Sequence, residues 1–234
     1  MTPASTPNIG FAHTGTGSQL RTLADPALRP YRLVDLYLPD ATTADFAALD
    51  GLLVADRSHP RLLMRHAAAI RAVAERGGTL VVFGENSAHE WLPDLQWQPR
   101  PTNFWWWRTG EDSGMRRRSL EHPIWDFLSE RSVIWHHHGI FRPPDGAVPL
   151  VALQEDGAEA GVTTFLDESS TPGAILVTTM DRATTMGRDS CPAPRSCSTA
   201  CCGGQTPGSR CAPPRCARGW SWWSRACPAA CRRR

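Results

Sequence analysis

Lysine is absent from the 234 residues, and cysteine is absent from the first 190. In that stretch no thiolate can act as nucleophile or metal ligand. No apolar run approaches the ~20 residues that span a bilayer. The first ten residues, Met1 to Gly10, lack the basic-then-apolar pattern of a secretory signal. The sequence therefore predicts a cytoplasmic protein, with neither a membrane nor nucleic acid as partner. A net charge of +2 hides a division. Residues 1–181 hold 15 Arg and 22 acidic residues, whereas residues 182–234 hold 10 Arg and one Asp. The first part is long enough for one α/β domain with a real core.

The second part, 182–234, holds all eight cysteines. Cysteine clusters suggest disulfides or zinc, and Arg-rich sequence with Trp suggests nucleic acid. Yet no C-x-x-C pair occurs, the segment has no His, and it has almost no aliphatic residues to bury. A shifted reading frame explains more. Asp181 to Gly187 can be back-translated as GAC CGC GCC ACC ACC ATG GG. One additional C after the Asp codon gives Asp-Pro-Arg-His-His-His-Gly. With permitted third bases, the frame continues as a helix with apolar residues at i, i+3 and i+4. We therefore read 182–234 as an out-of-frame, disordered tail.

Within residues 1–181 the clearest passage is β-α-β. Leu52 to Ala55 is a short apolar run, and so is Thr79 to Phe83. Unbroken runs of this length read as strands buried on both faces of a parallel sheet. Between them, Pro60 opens a helix that runs to Glu75, with Leu63, Ala67, Ile70 and Ala74 on one face, closed by Gly77-Gly78. Such strands deliver their C-terminal loops to the ligand crevice. Gly84 allows a sharp turn after the second strand, which makes Glu85 and Asn86 candidate site residues.

Ile9 to Ala12 reads as a first strand, leading into the Gly/Thr/Ser loop His13 to Ser18. That loop reads as a flexible turn rather than an anion cradle. Gln19 to Ala27 reads as a short helix, Tyr31 to Leu38 as a strand, and Thr43 to Leu49 as a helical turn. The stretch from Ser87 to Gly114 breaks the pattern, with His89, Trp91, Trp97 and Trp105 to Trp107 among three prolines. Its rings pack as a lid or edge element, or stack on a sugar or base. Arg116 to Arg118 reads as a solvated face. A short helix is expected after His122-Pro123, to Leu128. Val133 to Trp135 reads as a strand entering His136, His137 and His138. Alternation along a strand would let at most two of these share an ion, so ligand hydrogen bonding is favoured over metal. Glu155-Asp156-Gly157 signals a hairpin between Val148–Leu153 and Gly161–Phe165. Ala174 to Thr178 is a last buried strand.

Several of these pieces together resemble the class I glutamine amidotransferase-like superfamily, nearer its ThuA-like branch. They are the helix with Gly77-Gly78 and the strand to Gly84, then His122-Pro123, His138-Gly139 with Phe141, and Gly173 to Asp181. The resemblance covers about residues 9–181. It implies a flavodoxin-like, doubly wound, mostly parallel sheet with helices on both faces and a site at the elbow after Gly84. True amidotransferases carry at that elbow a Cys served by a His–Glu pair. Here the elbow carries Glu85, and Arg182 to Thr184 occupy the place of the His–Glu pair. Cysteine-dependent glutaminase chemistry is thus not expected.

The expectation for function is a small polar ligand, such as a sugar or polyol, held at the loop after residues 79–84. Glu85 and His138 are the candidate acid–base pair; Asn86, His89, Trp106 and His137 are candidate ligand contacts. No cofactor and no metal are expected, and self-association is a further expected partner mode. The alternatives are a non-catalytic interaction module and a non-functional frameshifted product.

Overall fold

The computed structural model describes residues 6–101 and 105–180. The frameshift and disorder readings for 182–234 lie outside these residues. The strands are β1 (Ile9–His13), β2 (Val34–Tyr37), β3 (Gly51–Val54), β4 (Thr79–Val82), β5 (Gln96–Pro99), β6 (Met115–Arg117), β7 (Gly139–Arg142), β8 (Val148–Glu155), β9 (Ala158–Asp167) and β10 (Ala174–Thr178). The helices are α1 (Gly17–Leu23), α2 (Thr43–Ala47), α3 (Pro60–Glu75), α4 (Ala88–Trp91), α5 (Trp106–Thr109) and α6 (Glu130–Val133).

The sheet is mixed. Its order is β2-β1-β3-β4-β10-β9-β7-β5, with β8 pairing both β9 and β6. The first five strands in this order run parallel to one another, and the other five pair antiparallel. The parallel block is the doubly wound half. Its central strands β3 and β4 are buried throughout, as their lack of polar alternation requires. α2, α3 and α4 cover one face, where Leu52, Val54, Leu80 and Val82 meet Leu63, Ile70 and Val73. On the other face Phe11, Leu53 and Val81 form a smaller cluster with Leu23 at the end of α1.

α3 has the bounds its sequence suggests, because His59 caps it and Pro60 occupies the first turn. The hairpin also forms, with Asp156 at φ 51° and Gly157 at φ 80° turning β8 into β9. Two adjacent positive φ values give the turn whose twist matches paired strands. β2 is shorter than expected, since Pro26–Tyr31 forms a 3-10 turn ahead of it. α1 is likewise confined to Gly17–Leu23.

The reading of Val133 to Trp135 as a strand is corrected. Val133 ends the single turn α6, and Ile134 to His138 follow without strand pairing. Val133, Ile134 and Trp135 all pack into one cluster with Met115, Ile140 and Val151. Burial decides the local conformation here over β propensity. The alternation argument for the three His lapses with the strand. The aromatic stretch contributes an edge strand, β5, whose Trp97 packs on Phe141 with ring centroids 5.0 Å apart.

Candidate functional site

Strand order reverses between β1 and β3, the position where open α/β sheets form their ligand crevice. In this chain a side chain fills it. Gln19, fully buried in α1, accepts hydrogen bonds at Oε1 from the N–H groups of Thr14 and Thr16, both at 3.1 Å. Its Nε2 donates to Asp56 O at 2.8 Å. The third loop N–H, that of Gly15, is given to His13 Nδ1. The N–H groups an anion would need are thus committed within the chain. The loop is a hydrogen-bonded plug, more ordered than the flexible turn its composition suggests.

The open polar groups lie one strand further along, at the carboxyl ends of β3 and β4. Asn86, 1% exposed, locks the two loops together. Its Nδ2 donates to Ala55 O (2.7 Å) and Phe83 O (2.6 Å), and its Oδ1 accepts from Ser58 N (2.8 Å). The backbone around this lock is contorted. Arg57 (φ 53°) and Ser87 (φ 46°) occupy the left-handed region as non-glycine residues, and Gly84 (φ 60°) joins them. Such conformations are unfavourable and gather at functional sites.

Glu85 projects from this contorted turn and is half-exposed. Its Oε1 lies 3.2 Å from His138 Nδ1, and its Oε2 lies 3.8 Å from Arg57 Nε. The His138 side chain is only 10% exposed. Glu85 and His138, 53 positions apart in the sequence, are thus in contact. Only its place in the loop three residues after β3 marks Arg57 in the sequence.

Each of the other candidates has its own surroundings. Asn86 adjoins Glu85, but its amide faces inward, onto the two loops. His137 is buried. Burial holds its imidazole below the ordinary value of 6.5; neighbouring His138 adds to this, and Glu155 opposes it. His89 is exposed on α4 and stacks on Trp97 at 6.4 Å. Trp106 is half-buried in α5, and its Nε1 is buried without a hydrogen-bond partner. Among the described residues no three His, Cys, Asp or Glu converge as metal ligands would. The arginine run is neutralised by Asp112, Glu130 and Glu159, which pair with Arg116, Arg117 and Arg118. None of the described helices is long and apolar enough to cross a membrane.

A second polar pair joins residues that no sequence pattern links. Buried His13 places Nε2 2.6 Å from Asp35 Oδ1. Because Nδ1 accepts from Gly15 N at 3.1 Å, the proton lies on Nε2. The pair braces β1 against β2.

No protein-family model matches the chain, and no curated protein does. Solved structures similar to it include a protein described as ThuA-like from Bacteroides uniformis, at 11% identity and a TM-score of 0.44, covering 81% of this chain and 88% of the other. A protein described as a GMP synthase subunit, from Thermoplasma acidophilum, is 13% identical with a TM-score of 0.46, covering 75% and 84%. A cytoplasmic protein of Salmonella typhimurium is 12% identical with a TM-score of 0.45, covering 75% and 87%. Likeness at this level says nothing of ligand or reaction.

Proposed function

We propose that the chain binds a small polar molecule of the sugar or polyol class at the carboxyl ends of β3 and β4. The observation that carries this reading is the Glu85–His138 contact of 3.2 Å at the ligand end of the sheet. A carboxylate accepts hydrogen bonds from two hydroxyls, and an imidazole both donates and accepts. Arg57 supports the second carboxylate oxygen from 3.8 Å. Glu85 and His138 are the groups suited to move a proton, and no thiolate takes part. Asn86 holds the loop that presents Glu85. His89 on Trp97, and Trp106, offer flat faces of the kind that stack on sugar rings. His137, kept neutral by burial, acts as a hydrogen-bonding wall behind His138.

The test is to titrate the full chain with D-glucose and with sorbitol while following Trp fluorescence. Saturable quenching that Glu85→Gln abolishes is the expected result. No response to either probe, nor to other sugar classes, contradicts a sugar or polyol site and points to a non-catalytic interaction module on the same fold.

A further inference from the structure

Buried hydroxyls at the end of the β9–β10 pair have partners, with one exception. Thr163 Oγ1 donates to Val151 O at 3.2 Å. Thr164 and Thr178 share a hydrogen bond of 2.9 Å, and Thr178 Oγ1 also accepts from Met180 N at 3.2 Å. Thr179 is fully buried, yet its Oγ1 has no partner. A buried hydroxyl without a partner is unfavourable, and each one calls for a reason.

Its position supplies one. β10 pairs with β4 so that Val177 stands opposite Val82. Thr179 directly follows the carboxyl end of β10, the strand that runs parallel beside β4. Pairing with β9 continues to this residue, since Thr179 N donates to Thr163 O at 2.9 Å. The other partnerless hydroxyl of the parallel block, that of Thr79, lies at the opposite, amino end of β4. Thr179 thus occupies the ligand end of the strand beside the proposed site.

We infer that Thr179 Oγ1 is a specificity-determining contact of that site, held unsatisfied in the free protein so that a ligand hydroxyl can take it up. This rests on the Glu85 reading and narrows it. The ligand carries at least two hydroxyls, one for Glu85 and one for Thr179. A buried contact selects against analogues lacking its partner more strongly than an exposed one does.

The test compares Thr179→Val with Thr163→Val in the full chain. Each removes one buried hydroxyl with little change of shape, but only the second breaks a hydrogen bond. Thr179→Val is expected to raise the melting temperature by about 2–4 °C, and Thr163→Val to lower it by a similar amount. Thr179→Val is also expected to weaken sorbitol or D-glucose binding about tenfold. A fall in melting temperature for Thr179→Val overturns the inference, because the hydroxyl then has a partner in the free protein. A rise with unchanged affinity also overturns it and leaves the Glu85 reading standing. If wild-type protein binds neither probe, the Glu85 reading fails, and this inference falls with it.

Discussion

Replacing Asn86 by Ala would unlock the two loops that form the site, and the structure sets the scale of the damage. Three backbone groups lose a partner: Ser58 N, Phe83 O and Ala55 O. Ala55 O keeps the Ser58 hydroxyl at 2.8 Å, so it is not orphaned. The bond to Phe83 O is only part-buried, so its loss costs less than that of a fully buried one. Ser58 is 2% exposed, and its N–H bears the full penalty of a buried unsatisfied donor, about 1–3 kcal/mol. With the small cavity left by the amide, the total is about 3 kcal/mol. That is a large share of the 5–15 kcal/mol typical of a folded domain. Urea unfolding followed by circular dichroism measures it directly. Asn86→Asp sharpens the test. It keeps the acceptor for Ser58 N but turns a carboxylate oxygen toward two carbonyls, which raises the carboxyl pKa in the folded state. Stability is then greatest below the ordinary Asp pKa and is lost as pH rises through the folded value. An Asn86→Ala variant within 0.5 kcal/mol of wild type would refute the lock, as that is the range of a neutral surface change.

The β3-α3-β4 passage was legible because its signals agree. Two unbroken apolar runs flank a helix with Pro60 at its start and glycines after its end. The turn at Asp156-Gly157 was legible for the same reason, since residue type and backbone demand coincide. Val133 to Trp135 misled because β-branched and aromatic residues fill a core from any backbone conformation. The edge element in the aromatic stretch is not readable as a strand, because β5 has exposed Gln96 and Gln98 and a terminal Pro99, so neither alternation nor burial marks it. At the site, Glu85 followed from one strand end and a glycine. The Gln19 plug is in part a local capping box with Thr16. The lock by Asn86, the His13–Asp35 brace and the reach of Gln19 to Asp56 depend on contacts between residues 22 to 37 positions apart. No local pattern encodes those contacts.

Gly139→Ala is expected to destabilise the protein by about 1–3 kcal/mol and to weaken any ligand response, because its Cβ would lie 2.5 Å from Gln98 O beside His138; thermal melting and titration read both. Gly157→Ala, with nothing within 4 Å of its Cβ, isolates the cost of φ +80°. A loss of about 1–2 kcal/mol in denaturant is expected. Burial lowers the His137 pKa, so the unfolded chain binds the extra proton. Stability should therefore fall as pH drops from about 6.5 toward the lower folded value and level off beneath it; His137→Gln should flatten a pH series of melting temperatures over that window. Resequencing the DNA near codon 182 is expected to show one additional C after the Asp181 codon if the shift is a sequencing error; a clean read with no missing base, together with a function for the tail, removes the shifted-frame reading.

The pairing of Glu85 with His138 as one ligand-binding unit is tested most directly by a double-mutant cycle. Sorbitol affinity is measured for wild type, Glu85→Gln, His138→Gln and the double variant. Groups that grip one ligand together give a coupling of at least about 1 kcal/mol, with the double variant little worse than either single one. Losses that add to within 0.5 kcal/mol, the behaviour of independent sites, would contradict a shared site.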